Sequence, residues 1–185
     1  MSGPKRKVPL PTPERVHSLV RYDGQQFHWL PRPRTYFKRE GDWKGWNTRH
    51  ANKPVIIKKM LNGYHGIRID GALILIHRAI WVLHYGEWPK GELDHINGDK
   101  ADNRIENLRD CTKSENMRNQ KLRSDSTSGF PGVHFDKERG QWAARIGLNG
   151  GWTHLGRFNR KADAIAARKA AESEYGFSEL HGRAA

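Results

Sequence analysis

The stretch LDHINGDKADNRIENLRDCTKSEN, residues 93–116, constrains the fold of this chain more than any other. It opens on an apolar residue followed by an acid–imidazole pair, Asp94-His95. It then crosses Asn97-Gly98 and closes on Thr112-Lys113-Ser114-Glu115. Asn-Gly is turn chemistry, since Gly takes positive φ without steric cost and Asn tolerates it. Thr112 and Glu115 have capping-box spacing, in which each side chain satisfies an exposed amide of the other's backbone. The pattern predicts a strand at 93–95, a polar loop, a second extended segment at 104–108 and a helix over 113–122.

So many short oxygen-bearing side chains could mark turns, a calcium loop or a hydrolytic metal site. A calcium loop of the EF-hand kind needs oxygen ligands at alternate positions and a Gly at the sixth. From Asp94 the alternate positions are Ile96 and Gly98; from Asp99 they are Ala101 and Asn103, with Arg104 sixth. Neither start works. Asp94 and His95 stand at a strand end, and Asn116 stands one turn into the following helix. If these elements fold together, Asp94 and Asn116 can face one cavity, and their oxygens suit a hard cation such as Mg²⁺. His95 can then take a proton from water, because an unperturbed imidazole pKa of ~6.5 suits neutral pH.

The surrounding chain carries a strong charge asymmetry. The net charge is +13, and residues 1–68 hold 15 basic against 4 acidic side chains, while residues 69–122 balance at 8 against 9. Clustered Lys and Arg displace condensed counterions from phosphate backbones, so the basic flank points to nucleic acid. Interleaved aromatics (Trp29, Tyr36, Phe37, Trp43, Trp46) favour the same partner. A single Cys, Cys111, excludes an intrachain disulfide framework and a Cys-rich zinc cage. No apolar run reaches the ~18 residues of a bilayer span, and the N-terminus has no apolar signal core. These features predict an intracellular protein with no membrane association.

Local signals predict further elements. Residues 1–11, with Pro4-Lys5-Arg6-Lys7, read as a basic arm. Thr12-Pro13-Glu14 starts a helix expected to reach about residue 22. Residues 26–30 read as a strand and 31–54 as irregular. Asp70-Gly71 between β-prone runs predicts a hairpin of 64–69 and 72–76. A helix over 77–85 should stop at Gly86. After a linker-like RSDSTSG at 123–129, strands are expected at 132–135, 141–148 and 152–158 around Asn149-Gly150-Gly151. A final helix capped by Asn159 should run to about residue 175.

Residues DHINGDKADNRIENL, the Glu115-Asn116 pair beyond them, and the hairpin and HRAIW segment ahead resemble the HNH (His-Me finger, ββα-metal) endonucleases. The likeness is to the subgroup of phage and intron-encoded homing enzymes. The resemblance implies that Asp94 and Asn116 bind a divalent metal, Mg²⁺ or alternatively Mn²⁺. It implies that His95 is the general base and that Asn107 holds the loop and the His95 backbone in place. His65, His77 and His84 read as structural or phosphate-contacting rather than catalytic; His77-Arg78 recurs in that subgroup, which leaves a DNA phosphate contact open to the pair.

The segment SGFPGVHFDKERGQWAARIGLNGGWTHLGRFNRKADAIAARKAA resembles the DNA-binding domain of plant ethylene-response factors, the Apetala-two type. Gly132-Val133, the W-x-A-x-I run from Trp142, Leu155-Gly156-x-Phe158 and the Ala-rich helix carry it. In that family a three-stranded sheet enters the major groove with the helix packed behind. Strand parity sends Trp142, Ala144 and Ile146 towards the helix and Arg145 the other way. The open face would then present His134, Arg139, Arg145, Trp152 and His154. His134, Arg145 and His154 replace the Arg, Glu and Trp usual in the plant pattern, so base preference does not transfer.

Together these readings predict an α+β chain: a ββα-metal (His-Me finger) nuclease core plus a small three-stranded antiparallel sheet with one packed helix. The expected parts are a basic, DNA-contacting region at 1–62, the HNH core at 63–122, a linker at 123–129, the second DNA-binding domain at 130–177 and a tail at 178–185. The expected activity is metal-dependent hydrolysis of double-stranded DNA by a monomer without protein partners, in the bacterial cytoplasm of a phage host. The alternatives are a catalytically silent DNA-binding regulator with the same fold, and an RNA-directed protein.

Overall fold

The computed structural model describes residues 8–61, 63–148 and 150–183. The basic cluster Pro4-Lys5-Arg6-Lys7 and Asn149 of the second hairpin turn lie outside the described residues. The chain forms two compact units. One takes the described residues up to His95 with Asp99–Asp110; the other takes Ile96–Gly98 and the described residues from Cys111 onward.

In the first unit, helix α1 (Pro13–Leu19) starts where the sequence predicts, with the Thr12 hydroxyl accepting from the Arg15 amide. It ends three residues early, because Val20–Tyr22 leaves the helix as β1 and pairs antiparallel with β2 (Phe27–Trp29). Residues 31–54 are not wholly irregular as expected: they contain an 11-residue helix, α2 (Glu40–His50), with no buried residue. Its apolar positions form no stripe, so periodicity gave no signal. Side chains fasten it instead. Trp43 Nε1 donates to the Arg32 carbonyl at 2.8 Å, and the Asn47 amide both accepts from Arg32 N and donates to Arg32 O.

Strands β3 (Lys58–Lys59), β4 (His65–Ile69) and β5 (Ala72–Leu75) form one antiparallel sheet in that order. The hairpin between the last two turns on Asp70 and Gly71, both at positive φ as a tight two-residue turn requires. Helix α3 (Ile76–Tyr85) closes on a left-handed Gly86. The core gathers Val16, Leu19 and Phe27, Ile67, Ile69 and Ile74 from the hairpin, and Ala79, Ile80 and Val82 from α3, with Leu93 and Leu108 at its margin. Each fully buried aliphatic contributes ~1.5–3 kcal/mol, so this is the principal core.

Strands β6 (Glu92–His95) and β7 (Leu108–Cys111) pair as a two-stranded sheet. The second of these lies later than the predicted 104–108. Ile105–Asn107 forms a 3-10 turn, and extended backbone begins only at Leu108. Helix α4 (Lys113–Met117) has the predicted capping box but ends five residues short of the expected 122.

The second unit is built on β8 (Val133–Asp136), β9 (Gln141–Leu148) and β10 (Gly151–Phe158), with β9 central, and on helix α5 (Lys161–Glu174). Val133, Ala144 and Ala164 are its buried centre, with Phe130, Trp142, Leu155, Phe158 and Ile165 packed around them. The final helix is not capped by Asn159; Arg160 holds the cap position, and Asn159 Oδ1 accepts from Gln141 Nε2 instead. The segment read as a tail is paired over its described residues. Ser178 N donates to Arg118 O, Gly182 N to Gln120 O, and Leu122 N to Arg183 O.

Candidate active site

Strand β6 alternates: Leu93 and His95 are buried, while Glu92 is exposed and Asp94 half-buried. Two amides fix the approach to it. Lys90 N and Gly91 N both donate to the Asp110 carboxylate, at 2.7 and 2.8 Å, which ties the entry of β6 to β7. Asp94 accepts at Oδ2 from Arg109 Nε and Nη2, at 3.2 and 2.9 Å. Adjacent strands thus place a guanidinium against the predicted metal-binding carboxylate. The sequence did not single out Arg109, because a cross-strand partner has no local signature.

His95 is only 3% exposed. Its Nε2 lies 3.1 Å from Asn103 Oδ1. The orientation of that amide follows from its other contact, since Asn103 Nδ2 donates to the Ala101 carbonyl at 3.1 Å. The oxygen facing His95 can only accept, so Nε2 carries the proton and the neutral ring keeps its lone pair on Nδ1. Asn103 is therefore a tautomer-setting residue that sequence reasoning missed. Its one available signal was its place in a loop already dense in Asp and Asn.

Asn107 is buried in the 3-10 turn, and its Nδ2 donates to the Asp102 carbonyl at 2.7 Å. It pins the polar loop on itself. Asn116 stands in α4, half-buried, in the other compact unit. In that same unit, Asn119 Nδ2 donates to the Ile96 carbonyl at 3.2 Å, and Arg183 Nη1 donates to the Asn119 carbonyl at 2.7 Å.

His77, read from the sequence as structural or phosphate-contacting, is buried. Its ring is 4% exposed and packs between Tyr64, 5.2 Å away, and His95, edge-on at 5.0 Å. Its neighbours are aromatic rings, so it acts by packing against His95. Burial, then the nearby His95 and Arg78, push the His77 pKa down from 6.5 to about 3. The unfolded chain takes up this proton near pH 6.5 and the folded chain does not. Stability from this residue is therefore complete above pH 6.5 and is lost as pH falls towards 3, at up to ~1.4 kcal/mol per pH unit. His77→Phe should flatten the acid limb of stability measured by urea unfolding between pH 6 and pH 4; an unchanged slope would place the acid sensitivity elsewhere. Arg78 is half-buried, with its guanidinium 5.8 Å from the Trp88 ring centre.

In the second unit, the predicted open face is coherent. His134 and Arg157 flank Ala143, Arg145 pairs with His154, and Gly147 pairs with Trp152. These residues share one side of the sheet. His134, Arg145, Trp152 and His154 are exposed, and Arg145 lies 4.3 Å over the Trp152 ring. Arg139 is also exposed but ion-paired to Asp136, which Arg157 approaches as well.

Residues 75–118 match the family model for HNH endonucleases, so they form an HNH endonuclease domain. Protein 3.8 of Escherichia phage T7 is 35% identical over 75 residues, covering 40% of this chain and 62% of that protein. The chain thus spans somewhat less than two thirds of that relative. No solved structure matches it.

HNH nucleases use divalent metal ions. Among the described residues, no group of three or more His, Cys, Asp or Glu is placed to hold one. The donor set expected here is different in kind: one carboxylate, an Asn amide oxygen, and water and phosphate for the rest. These hard oxygen donors fit Mg²⁺ or Mn²⁺.

Proposed function

We propose that this chain is a metal-dependent DNA endonuclease of the ββα-metal type. Residues 63–122 would form its nuclease core, and the C-terminal sheet would serve as an Apetala-two type DNA-binding domain. The observation that carries the reading is the Asp94-His95 pair at the end of β6, within residues that match HNH endonucleases, with His95 Nε2 held by Asn103. Asp94 and Asn116 would hold the ion, which when bound supplies positive charge to the scissile phosphate and the leaving oxygen. His95 takes a proton from water at Nδ1 as the water oxygen bonds to phosphorus and the bond to the leaving sugar oxygen breaks. Asn103 keeps the correct tautomer, and Asn107 holds the loop that carries Asn103. The substrate is double-stranded DNA, and the chain acts as a monomer. On this reading the role is of the mobile-element, homing type in a bacterial cytoplasm, and the likeness to a protein of Escherichia phage T7 is compatible with a phage origin.

Supercoiled plasmid incubated with the full chain and Mg²⁺ should give nicked or linear products, and EDTA should stop the reaction. Retained DNA binding with no cleavage under any divalent ion would replace this reading by that of a silent DNA-binding regulator. For the second domain, substitution is a cleaner test than deletion, because residues 178–183 pair with 118–122. Arg145→Ala with Trp152→Ala should weaken duplex binding and broaden the cut-site distribution mapped on a natural genome. An unchanged distribution would remove the sheet from site choice.

A further inference from the structure

The first unit contains a cleft of about 690 Å³ that the HNH reading does not use. Its lining combines the rings of Trp29, Trp46 and His50 with three apolar residues at 55–57 and five Arg and Lys side chains. No carboxylate is among its lining residues. None of the five cations is in an ion pair among the described residues. The Arg32 guanidinium instead lies 4.1 Å over the Trp46 ring, and its Nε is buried without a hydrogen-bond partner among the described residues. Trp46 also meets Trp29 edge-on at 5.9 Å and His50 at 5.1 Å.

The elements around the cleft are arranged to present it. Helix α2 contributes Trp46, Arg49 and His50 while burying none of its residues in the core, so packing does not account for it. It is fastened through the Arg32 backbone, the residue whose side chain stacks on Trp46. Among the other lining residues, Ile56 is 89% exposed. An apolar and aromatic wall with a purely cationic rim matches one ligand chemistry: a flat apolar ring joined to an anion. Proteins bind single strands in this way, with bases on aromatic faces and phosphates on a basic groove. The volume lies in the ~300–1,000 Å³ range of small-ligand sites, too small for a duplex.

We infer that this cleft binds an unstacked nucleotide of single-stranded DNA, its base against the Trp29–Trp46–His50 wall and its phosphates on Arg49, Lys53, Lys58 and Arg68. The inference rests on the DNA reading of the chain but not on cleavage. The nuclease would thus hold a strand locally separated from its complement as well as duplex.

The test uses the full chain in EDTA, so that no cutting is involved, and a fluorescent twelve-residue oligothymidylate read by anisotropy. Trp46→Ala should weaken binding by roughly 5- to 150-fold, the loss of one stacked base, and Trp46→Phe should recover most of it. Lys58→Ala should lower the slope of log affinity against log salt by about 0.7, one phosphate contact on a single strand. In an oligonucleotide carrying 5-iodouracil, photocrosslinks should map to the cleft wall. The inference is overturned if Trp46→Ala, folded by circular dichroism, binds like wild type. It is overturned equally if the variant loses single-strand and duplex affinity by the same factor, or if oligouridylate binds more than tenfold tighter than oligothymidylate. A chain that cuts nothing but passes this test keeps the cleft and loses the nuclease reading.

Discussion

His95→Ala should lower strand cleavage by roughly 10²–10⁴-fold at saturating DNA and leave DNA affinity nearly unchanged, the signature expected of a lost general base. The physical case is the proton inventory around the ring. Asn103 turns its oxygen to Nε2 because its nitrogen is engaged by the Ala101 carbonyl, so Nδ1 is the basic atom. A variant that alters the inventory without removing the ring sharpens the test. Asn103→Leu removes the acceptor, and the rate should fall while the pH profile of cleavage shifts. Thermal unfolding controls for the buried position, since a ring that is 3% exposed also fills space. Equal losses in kcat/KM and in DNA affinity would show that His95 matters only for binding or folding.

Arg168→Ala should destabilise the second unit by about 3–5 kcal/mol, the cost of breaking a buried ion pair by removing one partner. Arg168 is 3% exposed in the middle of α5. Its Nε donates to Glu172 at 2.8 Å, its Nη1 donates to the Arg145 carbonyl at 2.7 Å, and its guanidinium lies 5.1 Å from the Phe177 ring centre. The site cannot relax easily. Gly132, at φ +69, packs so closely that a Cβ there would stand 2.2 Å from the Arg145 carbonyl. Removing the guanidinium leaves a carboxylate and a strand carbonyl without their donor. In urea unfolding, the second unit should melt at lower denaturant in Arg168→Ala. Arg168→Met with Glu172→Leu should regain much of the loss, because it removes both charges together. A cost under 1 kcal/mol for the single variant would mean that the pair is solvated in solution.

Local signals were legible and long-range ones were not. The Asp70-Gly71 turn, the left-handed Gly86 stop and the Thr112–Glu115 capping box each act within four residues, and each stands where the sequence put it. Asp94 and His95 could be found for the same reason, as a polar pair ending a short strand. Arg109 and Asn103, which hold them, could not: one comes from the neighbouring strand and the other from the loop between. The extended segment expected at 104–108 begins late, because the turn that buries Asn107 delays the strand to Leu108. Helix α2 escaped because side-chain bonds to one backbone residue, rather than an apolar face, hold it. Arg168 carried no local signal in the Ala-rich helix, and only the fold shows it buried.

The pairing of residues 178–183 with residues 118–122 also sets an order on synthesis. A ribosome adds ~5–20 residues per second, so about 3–12 seconds separate the emergence of the two segments. During that interval, Arg118, Gln120 and Leu122 lack the backbone partners they later have, and Asn119 lacks the guanidinium of Arg183. The nascent chain therefore carries the residues following α4 in an unfinished state until residues 178–183 have emerged as well.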